Sequence, residues 1–164
     1  MRRSDREITD EEEIRSVIDK CDVCRLAFND EKTGYPYVLP LNFGWKTEED
    51  GSILFCFHGA AEGYKYEVMK RDARASFEMD CGHTLVSDAQ KGYCTMEYRC
   101  VMGQGRVEPV TDRAEKTKYL SLLTDRYHEH HFEFNPAAID RTAVFVLHVE
   151  RMTAKQRTIK KQGY

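Results

Sequence analysis

The chain has no apolar run long enough to cross a bilayer; its longest, residues 53–57 and 143–147, are only strand-sized. It also lacks a signal-peptide pattern, because Met1-Arg2-Arg3-Ser4-Asp5-Arg6-Glu7 leads into an acidic stretch with no apolar core and no small-residue cleavage site. Both absences predict a cytoplasmic protein that does not engage a membrane. Excess charge of one sign is missing too. Against 28 Asp and Glu stand 25 Lys and Arg, giving −3 and a pI near 6.1, which argues against nucleic acid as a partner. No Gly-x-Ser-x-Gly, Walker loop, Rossmann fingerprint or His-Glu-x-x-His occurs, so the common hydrolase, nucleotide and zinc-protease sites have no counterpart. Internal repeats, low-complexity linkers and composition breaks are absent as well, and the expectation is one domain over residues 1–164.

What is present is an ordinary globular mixture, 32% charged and 41% hydrophobic, in 164 residues. A chain of that size buries roughly two thirds of its unfolded surface and needs neither disulfide nor metal to fold. In a reducing compartment the six cysteines, Cys21, Cys24, Cys56, Cys81, Cys94 and Cys100, read mainly as small apolar packing residues. Cys21-Asp22-Val23-Cys24 has the CxxC form of a redox pair or half a zinc site. No second CxxC or His-x-x-x-His completes a zinc set. A reactive pair belongs at a helix N-terminus, and this one sits at the other end of its helix.

An N-terminal helix is expected over about residues 9–21. Thr9-Asp10-Glu11-Glu12 has capping-box form, and Ile14, Val17, Ile18 and Cys21 make one apolar stripe. Residues 23–28 and 35–45 read as a hairpin across a polar turn, with Pro36 and Pro40 requiring an edge or bulged second strand. Further strands are expected at 52–58, 73–80, 92–109 and 143–149, with Gly103 and Gly105 marking a bulge. Helices are expected at 64–70 and from Thr111-Asp112 onward, a short helical turn at Pro136, and a polar tail over 151–164 that carries Lys155, Arg157, Lys160 and Lys161. Many short strands with few helices predict a mainly β fold, a small β-barrel decorated by helices, in preference to an open antiparallel α+β sheet.

The richest segment is Phe57-His58-Gly59-Ala60-Ala61-Glu62-Gly63-Tyr64-Lys65. Small residues between a strand and a helix let the backbone approach a ligand, and free N–H groups at the helix start favour an anion. His58 and Lys65 add donors at its rim; the plain alternative is a simple turn. His128, His130 and His131 could gather on a metal, with His128 and His131 on one helical face, or could simply suit a helix C-terminus; no spacing matches a metal motif and none is assigned.

Taken in order, Tyr35-Pro36-Tyr37-Val38-Leu39-Pro40-Leu41-Asn42-Phe43, Phe57-His58-Gly59-Ala60 with Gly63 and Lys65, Tyr98-Arg99-Cys100-Val101 before Gly103 and Gly105, and Val149-Glu150-Arg151-Met152-Thr153-Ala154-Lys155 resemble a known family. It is the pyridoxamine 5′-phosphate oxidase-like FMN-binding split barrels, in their Nim-type nitroimidazole-resistance branch. The resemblance implies a Greek-key split barrel and a homodimer with FMN in clefts at the subunit interface. It implies that Val38, Leu39, Pro40, Leu41 and Asn42 line the isoalloxazine and ribityl chain, largely through backbone groups. His58, Gly59, Ala60 and Lys65 would meet the phosphate side, His58 being also the residue tied to activity, while Arg99, Cys100 and Val101 would flank the cofactor. Cys100 stands where the family usually has serine, and a thiol is a weaker donor. Lys155 follows Ala154 where the family has glycine.

The functional expectation is an FMN-dependent oxidoreductase that reduces small electron-poor organics, nitroimidazole-type compounds among them. A non-catalytic flavin- or haem-binding module for storage, sensing or protection is the alternative from another class, and a pyridoxamine 5′-phosphate oxidase proper is a third. Because a flavin carries the redox chemistry, no triad or paired acid–base motif is required of the chain.

Overall fold

Two-residue alternation of apolar and polar side chains dominates the chain, and each such run is a strand. The structure is a computed structural model that describes residues 3–159. Its strands are β1 (Glu7–Ile8), β2 (Cys24–Asp30), β3 (Tyr35–Leu41), β4 (Gly44–Thr47), β5 (Ile53–Ala60), β6 (Arg74–Asp88), β7 (Tyr93–Val110) and β8 (Thr142–Arg157). The helices are α1 (Glu11–Lys20), α2 (Tyr64–Arg71), α3 (Arg113–Tyr127) and α4 (Pro136–Arg141). One antiparallel sheet runs β3-β2-β6-β7-β8-β5-β4, with β1 added to the far end of β8. Among the described residues no helix is long and apolar enough to cross a membrane.

The sheet curls on itself. Phe55 of β5 and Phe77 of β6 are three strands apart in the sheet, yet their ring centroids are 5.2 Å apart across the interior. Phe28, Phe57, Met79, Val101 and Leu147 fill the same barrel core, and Val17, Ile18 and Cys21 of α1 close one end of it. Strands β3 and β4 remain the two free edges, which makes the barrel a split one. A second, smaller core lies outside it, where Leu54, Cys56, Val144 and Val146 pack under Tyr119, Leu120 and Leu123 of α3 and Ile139 of α4. The mainly β, helix-decorated barrel expected from the sequence is therefore the observed architecture, and β3 with its two prolines is indeed an edge.

Several boundaries differ from expectation for physical reasons. Asp10, not Thr9, caps α1, its carboxylate accepting the Glu13 N–H at 2.7 Å. The expected strand over 35–45 breaks at Asn42-Phe43, and β4 passes directly beneath α3; a Cβ at Gly44 would lie 2.9 Å from the Leu123 backbone. Strand β6 does not stop at Asp80. After an irregularity between Cys81 and Thr84 it continues with β7 as a two-stranded arm, Leu85 opposite Met96. The polar tail expected from Arg151 is strand as far as Arg157, because Tyr98–Gln104 of β7 supply it with partners; Lys160 and Lys161 lie outside the described residues. Helix α3 ends at Tyr127, so His128 and His131 do not share a helical face; His131 Nδ1 lies 3.0 Å from Asp125 and the His128 ring packs on Phe132.

Candidate functional site

Chain direction changes between β5 and α2, and the residues there form a cationic cradle. Gly63, at φ +124°, is the N-cap of α2 and offers no capping side chain; the Tyr66 N–H donates to the Gly63 carbonyl at 3.1 Å, which leaves the Tyr64 and Lys65 amides for a ligand. The Lys65 side chain folds back over the loop. A Cβ at Gly59 would meet Lys65 Nζ at 3.6 Å, and one at Gly63 would meet it at 3.7 Å. Lys65 Nζ donates to the Glu62 carbonyl at 3.2 Å and stands 4.6 Å from the centroid of Tyr66, whose hydroxyl donates to Ala60 O at 2.8 Å. One of the three ammonium hydrogens is thus spent and the others are free for an anion. His58 is exposed at the mouth of this loop, and desolvation by the surrounding protein holds its imidazole below the ordinary 6.5.

Helix α2 is fastened to the other free edge of the barrel. Asp30, at the end of β2 and only 2% exposed, accepts from the Tyr64 hydroxyl at 2.8 Å, from Thr33 Oγ1 at 2.8 Å and from the Lys32 N–H at 3.2 Å. Burial pushes its pKa up, but these hydrogen bonds together with Arg71 outweigh it and hold the carboxyl below its ordinary value. Tyr64 also packs edge-on against Tyr37 of β3 at 5.4 Å, so β3 and the Lys65 cradle stand side by side.

On β3 the alternation splits the expected ligand residues. Leu39 and Leu41 pack on the barrel core, whereas Val38, Pro40 and Asn42 face outward, Val38 being 55% exposed. A proline cannot face a neighbouring strand with its nitrogen without costing a ladder bond, so Pro36 and Pro40 occupy positions turned to the open edge. By the same period Val38 turns its N–H and C=O there, which gives the edge backbone groups for a ligand. Asn42 spends its amide on the Asp22 carbonyl at 3.0 Å.

The third group, on β7, is divided in the same way. Val101 is fully buried in the barrel core and offers no side chain to a ligand. Arg99 lies opposite Cys81 and Gln156, on the α1 side, while Cys100, only 4% exposed, lies between Asp80 and Lys155 in the register, on the sheet face opposite Val101. Burial pushes the Cys100 thiol up, Lys155 acting against it and Glu78 and Asp80 with it, so it stays a neutral, weak donor. Sequence reasoning missed the polar cluster beside it. Arg25 Nη1 bridges Asp80 at 2.7 Å and Glu78 at 3.3 Å, and His83 Nε2 meets Asp80 at 2.7 Å. The signal was available in the two-residue polar period of Ser76-x-Glu78-x-Asp80, which marks one solvent-facing sheet surface.

These groups do not converge within one chain. His58 is level with Val144 and Val110 in the sheet, and Cys100 is ten residues back along β7, roughly 33 Å of extended strand. The structure brings together His58, Gly59, Ala60 and Lys65, sets Tyr37 of β3 against the neighbouring Tyr64, and leaves Cys100 and Lys155 paired elsewhere in the sheet.

The sequence matches the profile of the pyridoxamine 5′-phosphate oxidase family over residues 10–156. In structure it is similar to a candidate 5-nitroimidazole antibiotic resistance protein from Bacteroides thetaiotaomicron, with a TM-score of 0.79 and 29% identity over 92% of this chain and 86% of that one. It is also similar to the flavocytochrome Anf3 of Azotobacter vinelandii (TM-score 0.76, 21% identity, 97% of this chain and 72% of that one). A FAD- and haem-binding protein of Mycobacterium smegmatis gives 0.77 and 18% over 97% and 75%. The last two likenesses, at such identities, speak for the fold alone. No curated protein matches the chain.

Proposed function

The chain belongs to the pyridoxamine 5′-phosphate oxidase family, and from that premise we propose that it is an FMN-dependent oxidoreductase, working as a homodimer on small electron-poor organics such as nitroimidazoles. The observation that carries this reading is the Lys65 cradle, in which an ammonium with free hydrogens sits over Gly59 and Gly63 at the unblocked start of α2. That combination suits a phosphate monoester, whose charge it would meet with charge-assisted bonds and the positive end of a helix. The exposed strand edge at Val38 and Pro40, next to the Tyr37 that packs on Tyr64, suits the ribityl chain and ring. Bound FMN supplies the electron transfer; the chain holds the phosphate at Lys65, orients the ring along β3 and keeps a neutral His58 at hand to donate a hydrogen bond or proton to the substrate. The separation of Cys100 and Lys155 from this half-site supports a dimer in which the outward sheet surface of one copy covers the cradle of the other.

The test is to purify the protein, record its visible spectrum and identify any released cofactor by mass spectrometry, then follow NAD(P)H oxidation anaerobically with a nitroimidazole as acceptor. A yellow protein releasing FMN, with sustained turnover, is expected. A colourless protein that takes up no FMN in titration overturns the reading. The flavocytochrome and the FAD- and haem-binding protein among the structural neighbours keep one second reading in view, a flavin- or haem-binding module without turnover. Tight flavin binding with no acceptor reduction, or a Soret band, would select it.

A further inference from the structure

Beyond Tyr98 the strands β6 and β7 leave the barrel and pair only with each other, Thr84–Asp88 against Tyr93–Glu97. Strand β8 ends at Arg157, level with Tyr98, and just past it the Ile159 N–H donates to the Glu97 carboxylate at 2.5 Å. A two-stranded ribbon of this kind is marginally stable in water by itself. It also carries an apolar cross-strand pair, Leu85 directly opposite Met96, which are 64% and 45% exposed. The irregularity between Cys81 and Thr84 sets Gly82 and His83 against Tyr98 alone, so the extra residue is on β6. Strand β7 therefore keeps its two-residue period, and Cys94, Met96 and Tyr98 share the sheet face of Cys100.

The accessible area says how much of the surface lacks a partner. The chain exposes 10757 Å², whereas a compact monomer of its 19.1 kDa exposes about 8400 Å². The seven residues outside 3–159, even if fully extended, supply at most about 1300 Å² of the difference. An excess of about 1000 Å² thus belongs to the described chain, more than the roughly 800 Å² that each partner buries in a standard interface. We propose that the β6–β7 arm clasps a second copy of this chain, with Leu85 and Met96 packed on the partner. The clasp rests on the dimer proposed for the flavin site, which turns the face of Cys100 and Lys155 toward the other copy. Met96 lies four residues from Cys100 on that same face, roughly 13 Å along β7, so the arm lengthens the same interface. Two side chains are too few to hold a dimer, which takes about 20–30 residues a side. The sheet face supplies the bulk and the arm adds an apolar end. One contact then buries the exposed pair and orders the ribbon, which couples the order of the arm to dimerisation.

The test follows wild-type protein and the double variant Leu85→Lys, Met96→Lys by sedimentation across concentration and by hydrogen–deuterium exchange of the arm peptides. Both side chains are exposed within one chain, so the variant should keep the wild-type Tm when monomeric. Expected is a dimer dissociation constant at least about 100-fold higher in the variant. Arm amides over 84–97 should exchange at least about tenfold faster in the variant than in the wild-type dimer, and wild-type protection should fall on dilution through its own dissociation constant. A variant that dimerises as tightly as wild type, or a wild-type dimer whose arm exchanges as fast as its monomer's, overturns the clasp and leaves the flavin-site dimer standing. A wild-type chain that is monomeric at every concentration overturns both. Arm protection that disappears when residues 160–164 are removed, in protein that still dimerises, means that the chain covers its own arm, and that too overturns the clasp. Exchange of the wild-type arm is read without the variant, so a variant that fails to fold does not spare the proposal.

Discussion

The Lys65 ammonium is anchored by the Glu62 carbonyl and the Tyr66 ring, so Lys65→Ala removes its charge and leaves the loop backbone, held by Tyr66 on Ala60, in place. A charge-assisted hydrogen bond contributes about 1.5–3 kcal/mol, so FMN affinity by fluorescence titration should fall about 10- to 100-fold. Unchanged affinity removes Lys65 from the phosphate seat. His58 gives a second prediction at this scale. Folding lowers its pKa from 6.5 by desolvation, so the unfolded chain takes up the proton more readily. Its contribution to stability is complete above 6.5 and is lost as pH falls through the lower folded value. His58→Gln should therefore flatten the acid-side decline of Tm just below 6.5, and an unaltered slope would assign that decline elsewhere. Both residues were legible in the sequence because the cradle is local: a glycine, a helix start and a lysine within eight residues. The neighbours of Cys100 were not legible, because Asp80 and Lys155 reach it only through the register of three strands.

At the scale of elements, Asp30 couples three of them, since β2, the following turn and α2 all end on one buried carboxylate. Its lowered pKa means that this stabilisation is present above the ordinary 3.8 and disappears as pH falls through the folded value. Asp30→Asn should lower Tm at pH 7, with a deficit that shrinks toward pH 3, and should weaken FMN binding by loosening α2. A deficit of constant size across that range would show that the charge is not what matters. The bulge between β7 and β8, where Glu150 of β8 is the extra residue, is the other critical joint. A Cβ at Gly105 would run into the His148 carbonyl, backbone against backbone, where the register with β8 shifts. Gly105→Ala should cost about 3 kcal/mol, seen as a fall in Tm of roughly 6–12 °C. Gly103-x-Gly105 announced that bulge in the sequence, and Pro36 and Pro40 announced the edge, because each exploits a backbone property that no other residue shares. The length of β8 was hidden for the opposite reason. Beyond Val149 only Met152 and Ala154 turn inward, and the polar residues between them read as a tail until β7 supplies their hydrogen bonds.

The whole molecule presents a curled sheet whose outward face over β3, β2, β6, β7 and the end of β8 carries Val38, Pro40, Ala27 and Met102 among charged side chains, with Cys100 buried between them. The residues that the resemblance assigns to FMN fall into two groups on this molecule, around Lys65 and around Cys100, separated along β7 by about ten residues of strand. In the proposed two-fold dimer each copy would lend its Lys65 half to the other's Cys100–Lys155 half, and two equivalent sites would form at one isologous interface. The consequence is specific. Wild-type protein should run at twice its 19.1 kDa chain mass in light scattering, and Lys65→Ala and Lys155→Glu should each bind FMN poorly alone. When the two variants are unfolded together and refolded as a mixture, the mixed dimer holds one doubly altered site and one intact site, so about a quarter of all sites should recover wild-type affinity. Recovery of that size would place the two lysines on opposite subunits of a shared site. No recovery, from variants that still dimerise, would mean that each chain closes its own cleft, and the cradle at Lys65 would then have to reach its ligand without the partner's help.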